Sequence, residues 1–103
     1  MKYSANWHRN KKFGNAIKSG DTLRVKIENA VVCTGQIKKK VWYGWKLMQI
    51  AQGKSTMKFN LKKKKRGKTV GYDTGHYLLF VWSSDKKHKG FKVKDMFYID
   101  WMW

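Results

Sequence analysis

Proline is absent from this chain and cysteine occurs once, at Cys33. A lone cysteine cannot close an intrachain disulfide or supply a four-cysteine zinc site, so the fold has to hold without either staple. Cysteine usage of this kind suits a reducing cytoplasm. Acidic side chains are also few: 6 Asp and Glu stand against 24 Lys and Arg. Scattered as they are, they argue against the clustered carboxylates of a metal-dependent nuclease. Arginine is scarce among the cations, occurring only at Arg9, Arg24 and Arg66. No apolar run approaches transmembrane length, the longest (Tyr77 to Trp82) being strand-sized. The start, Met1 to Arg9, has no apolar signal-peptide core, so a soluble, unprocessed protein with no membrane partner is expected. A P-loop, a GxGxxG turn and zinc-ligand spacing are all missing, and no cofactor is expected.

What remains is charge, aromatics and alternation. The formal net charge is +18, far beyond what solubility needs, and it opposes compaction while attracting polyanions. Lysine, a mobile point charge, suits phosphate, whereas arginine is the side chain that forks onto guanine edges. The imbalance points to phosphate-led, salt-sensitive binding with weak sequence preference. Hydrophobic residues make up 42% and aromatics 16% of the 103 residues, enough for one core. Such an aromatic content, without proline, argues against a disordered basic tail.

Period-two patterning recurs along the chain. Residues 1–15 read as a basic N-terminal arm or irregular lead-in, with Trp7 and Phe13 as anchors, and residues 16–103 as a single β domain. After a turn at Lys18–Asp21, Leu23, Val25 and Ile27 alternate with Thr22, Arg24 and Lys26, the pattern of a half-buried strand. A second strand follows through Cys33, with a bulge or bend expected at Gly35. Val41 to Ile50 reads as strand, with a helix over Trp45–Gln52 as the rival. Met57, Phe59 and Leu61 mark another strand. Tyr77–Trp82, apolar on both faces, should be central and most buried. The aromatic segment from Met96 to Trp103 reads either as a closing strand or as a surface for a partner.

Gly20-Asp21-Thr22-Leu23-Arg24-Val25, followed by Gly35-Gln36-Ile37, resembles the opening of KOW and other SH3-like small barrels. The likeness spans about 18 residues. It implies an all-β fold, a strongly curved antiparallel sheet forming a partly open barrel of about five to six strands. It also implies binding to DNA, RNA, or ribosomal and transcription machinery.

Three lysine-rich segments carry the functional expectation. Lys62, Lys63, Lys64, Lys65, Arg66 and Lys68, with Gly67 among them, read as the long charged tip of a β-hairpin. Lys38, Lys39 and Lys40 read as a second basic tip, and Lys86, Lys87 and Lys89 lie in a third basic loop. Of the interleaved aromatics Trp42, Tyr43, Trp45, Tyr72, Trp82 and Phe91, most should be core. Trp42 and Tyr43, abutting a lysine tip, are the candidates for base stacking.

Catalytic candidates are weak. Asp73 and His76 are three apart, a spacing that admits acid–base work but reads more simply as a turn aspartate beside a strand histidine. Cys33 reads as a small buried hydrophobe. The expectation is a non-enzymatic, largely sequence-independent double-stranded DNA-binding protein, a monomer or weak dimer, cytoplasmic and nucleoid-associated in a bacterial or phage-infected cell. Neutralising four to six phosphates would give a log–log salt slope of about −4 to −5. The alternative is a small protein that binds a host protein through its aromatic surface, since the lysine-, asparagine- and tryptophan-rich composition resembles bacteriophage early proteins. RNA binding is a second alternative, with duplex DNA favoured.

Overall fold

The computed structural model describes residues 3–28, 32–83 and 92–100. The alternating segments become Tyr3–Ala5 (β1), His8–Asn10 (β2), Gly14–Lys18 (β3), Thr22–Ile27 (β4), Val32–Val41 (β5) and Gly44–Lys54 (β6). Thr56–Asn60 (β7), Lys62–Lys65 (β8), Lys68–Gly71 (β9), Gly75–Ser83 (β10) and Lys92–Asp100 (β11) follow. The protein is all-β, as expected, and Trp45–Gln52 is strand rather than helix.

These strands form a three-stranded sheet β1-β4-β7, a six-stranded sheet β2-β3-β11-β10-β5-β6, and a separate β8–β9 hairpin. Every pairing is antiparallel except β3 with β11. The strands do not close into a barrel, and they fall into three sheets rather than the single curved sheet expected. Between β6 and β7 the chain turns a corner at Ser55, with φ of 70°. β6 pairs with β5 in the large sheet, while β7 pairs with β4 in the small one, so the strands divide between two sheets instead of closing on themselves.

The core lies between these sheets. Leu23, Val25 and Ile27 of β4 and Met57 and Phe59 of β7 belong to one apolar cluster with Cys33, Ile37, Tyr77, Leu79, Val81, Phe97 and Ile99 of the large sheet. Each of these is at most 2% exposed. Full burial of a large apolar side chain is worth about 1.5–3 kcal/mol, so this cluster is what orders an otherwise self-repelling chain. Gly35 is not a bulge. A Cβ there would stand 2.8 Å from Cζ of Phe59, and the glycine admits that ring. The irregularity falls between Ile37 and Lys38, where β6 inserts one extra residue, Met48.

Residues 3–10 are not an irregular lead-in. β1 pairs with β4 and β2 with β3, and Trp7 stacks on Phe97 with ring centroids 5.4 Å apart. β10 is central, lying between β5 and β11, but only Tyr77, Leu79 and Val81 are buried. Leu78, Phe80 and Trp82 point to the opposite face and stay half-buried. β11 runs unbroken through Asp100, with Phe97 and Ile99 in the core, as a closing strand would have them. Trp101, Met102 and Trp103 lie outside the described residues.

Candidate nucleic-acid interface

The lysine segment 62–68 is not one long tip. Its lysines are themselves strand residues, and the reversal is reduced to Arg66 and Gly67, at φ 52° and 77°. Positive φ at both central positions is the type I′ pattern, whose twist matches a two-stranded ribbon. Arginine rarely adopts this conformation, so Arg66 sits exposed at the apex at some conformational cost. Lys65 pairs directly across from Lys68. Like charges at such a cross-strand position repel, and nothing acidic adjoins them in β8 or β9. Lys62, Lys64, Lys65, Arg66 and Lys68 are all exposed.

The base of this hairpin is firmly held. The Tyr72 amide donates to the Leu61 carbonyl and the Leu61 amide to the Asp21 carbonyl. The Ser19 hydroxyl donates to the Tyr72 carbonyl. Gln49 Nε2 donates to the Tyr72 hydroxyl at 3.0 Å and to the Asn60 carbonyl at 2.8 Å, and its Oε1 accepts from the Asn60 amide. Tyr72 is therefore buried support, stacked on Tyr77 at 5.9 Å, and not a surface ring.

Asp73, just beyond β9, organises the lysines around it. Its Oδ2 accepts from Lys63 Nζ at 3.0 Å and Lys39 Nζ at 3.3 Å. Those bonds hold its carboxyl below the usual range. The buried Tyr77 hydroxyl donates to the Asp73 carbonyl at 2.8 Å and fixes the residue in place. Burial, with Asp73 and Tyr72 adding to it, raises the phenol's pKa, so it stays a neutral donor. Lys39 and Lys63, from two separate basic segments, thus meet at one carboxylate.

Lys38–Lys40 do not form a tip either. They belong to β5, and strand alternation sends Lys39 toward Asp73 while Lys38 lies over the Phe80 ring at 5.5 Å on the other face. Lys40, exposed, pairs with Trp45. The tip of the β5–β6 hairpin is aromatic: Trp42 is 95% and Tyr43 63% exposed, their rings edge-to-face at 5.2 Å. Lys86, Lys87, Lys89 and Phe91 lie outside the described residues.

The sequence reading missed the outer face of the six-stranded sheet. Phe80 and Trp82 lie 5.0 Å apart there, and Lys94 joins Lys38 over Phe80, at 5.3 Å. Toward the other end of the sheet Phe13 stacks on Tyr98 at 3.8 Å, with His76 edge-on to both. The signal was present in the alternation of Lys92 and Lys94 with Val93, set in register beside Trp82 and Phe80.

Asp73 and His76 have different partners: the acid is engaged by lysines and the imidazole packs on rings. Cys33 is buried, and burial pushes its thiol pKa up, away from the reactive thiolate. Among the described residues no cluster of three His, Cys, Asp or Glu could hold a metal ion. No family model, curated protein or solved structure matches the chain.

Proposed function

We propose that this protein binds nucleic acid without catalysing a reaction, and that duplex DNA phosphates are the main target of the β8–β9 hairpin. The observation that carries the reading is a ribbon with five exposed cations at positions 62, 64, 65, 66 and 68, two of them paired across the strands with no acid to separate them. Such an arrangement gains most when a polyanion releases its counterions onto it. Lysines on both strands ride the phosphates, and Arg66 at the apex suits a narrow minor groove. With lysine in excess, binding depends little on sequence. A nucleoid location in the cytoplasm follows from the same reading.

The test is an anisotropy titration of the whole chain against duplex DNA, single-stranded DNA and duplex RNA of equal length, each at two salt concentrations. Duplex DNA is expected to bind tightly, with affinity falling steeply in salt. Absence of binding to every probe, or affinity indifferent to salt, refutes the proposal.

One observation favours a second reading, a protein partner docking on the β5–β6 hairpin. Besides Trp42 and Tyr43, Leu47 is 46% and Ile50 56% exposed. A stoichiometric partner retained from nuclease-treated lysate by the wild type and lost by Trp42→Ala supports that reading. Loss of every partner on nuclease treatment removes it.

A further inference from the structure

We propose that the outer face of the six-stranded sheet is a second site, one that stacks the unpaired bases of single-stranded nucleic acid, with Phe80 at its centre. The inference rests on the reading of the chain as a nucleic-acid binder but uses a different surface and a different form of the ligand.

The face is assembled by register. Phe80 stands between Gln36 of β5 and Lys94 of β11, and Trp82 between Thr34 and Lys92. Alternation turns Tyr77, Leu79 and Val81 into the core and leaves the even-numbered residues of β10 on this side. Phe80 and Trp82 remain only partly buried. A second ring group, Phe13, His76 and Tyr98, lies on the same face. His76 is four residues from Phe80 along β10, about 13 Å in an extended strand. Two ring groups so separated on a rigid sheet can take different bases of one strand.

The charge on this face selects the occupant. Lys38 and Lys94 bring ammonium groups to within 5.5 and 5.3 Å of the Phe80 centroid from strands on either side of it. β5, β6 and β10 contain no carboxylate. Asp95 of β11 pairs with the inward-facing Leu79 and so belongs to the other side of the sheet, while Asp100, at the far end of β11 in register with Lys18, is the carboxylate that alternation places on the outer face, six residues along the strand from Lys94. A second copy of the chain, at +18, would bring its own cations against these lysines. A flexible polyanion whose repeating unit carries both a flat ring and a phosphate meets both requirements: bases on the rings, phosphates on Lys38 and Lys94. Duplex DNA does not, because its bases are already stacked and paired. The lysines now resting on Phe80 would move from the ring to phosphate when a base arrives.

The test compares oligo-dT with a mixed-sequence duplex by anisotropy, using the full chain, Phe80→Ala, Phe80→Tyr and the hairpin variant Lys62/Lys64/Lys65→Ala. Thermal melting verifies the fold of each. Phe80→Ala is expected to weaken oligo-dT binding about tenfold and duplex binding less than about twofold, with Phe80→Tyr near wild type. Unchanged oligo-dT affinity in Phe80→Ala, or equal loss on both probes, overturns the sheet site. If the hairpin variant still loses the duplex in that case, the proposed function stands without it. If the wild type binds neither probe, both proposals fall. Should Phe80→Ala unfold, Lys38→Gln/Lys94→Gln takes its place, and an undiminished oligo-dT affinity in that variant overturns the site.

Discussion

Replacing Lys62, Lys64 and Lys65 with alanine should flatten the salt dependence of duplex binding by a calculable amount. All three are exposed, and none makes an ion pair among the described residues. Each phosphate contact adds about −0.9 to the slope of log affinity against log salt, so five cations contribute about −4.5 and the triple substitution removes about 2.7. Over a fourfold rise in salt the wild type should therefore lose about 40-fold more affinity than the variant. Lys63→Ala is the internal control. Its ammonium is committed to Asp73 at 3.0 Å, so it should change the slope less than Lys64→Ala does. Stability should hardly move, because the β8–β9 ribbon adds no side chain to the core cluster and neutralising it relieves repulsion between Lys65 and Lys68. The assay is anisotropy of a labelled duplex across a salt series. A slope differing from wild type by less than about 0.5 would refute the assignment of those lysines to phosphate.

Three further outcomes follow from the geometry. Asp73→Asn removes the shared partner of Lys39 and Lys63. Because the carboxylate is 53% exposed, solvent screening limits the loss of stability to under about 1 kcal/mol, while the two released cations tighten duplex binding at low salt. Its pKa is depressed chiefly by the Lys63 hydrogen bond and then by that from Lys39. The contribution is thus full above the ordinary carboxylate pKa of about 3.9 and fades as pH falls through the lowered folded value. Denaturant midpoints of wild type and variant should converge in strong acid, and a gap that persists there contradicts the clamp. Gly35→Ala puts a methyl 2.8 Å from the Phe59 ring, and overpacking of this kind costs about 1–3 kcal/mol, a fall in melting temperature of at least roughly 4 °C. An unchanged melting temperature would mean the sheets can part freely there. Trp42→Ala removes a ring that is 95% exposed, so melting should be unaffected while affinity for single-stranded DNA, whose bases are free to stack on it, drops; affinity equal to wild type takes Trp42 out of the contact.

The sequence made the strands legible where one face alone is buried. Leu23, Val25 and Ile27, and then Met57 and Phe59, alternate with polar residues, and all five are core. It misled where lysines run together. A run of cations reads as loop because it cannot be buried, yet β8 and the end of β5 hydrogen-bond as strands whose side chains reach solvent on both faces or at the sheet margin. Lys38 and Lys39 therefore part company, one to Phe80 and the other to Asp73, a division that no composition count contains. The two-sheet arrangement was likewise hidden. It depends on the corner at Ser55 and on β3 joining β11 in parallel from 82 residues away in the chain, as the pairing of Ile17 with Ile99 and of Asp100 with Lys18 records. The aromatic face was obscured because Leu78, Phe80 and Trp82 look as apolar as Tyr77, Leu79 and Val81, and only topology decides which set is covered.

The measurement that bears most directly on the central claim is an amide NMR titration of the isotope-labelled chain with a short DNA duplex. The largest shift changes are expected on Lys62 to Lys68, with Asp73 and its lysine partners next and the buried strands β4 and β7 still. Changes confined to surfaces away from the β8–β9 hairpin, with Lys62 to Lys68 unmoved at saturation, would contradict it.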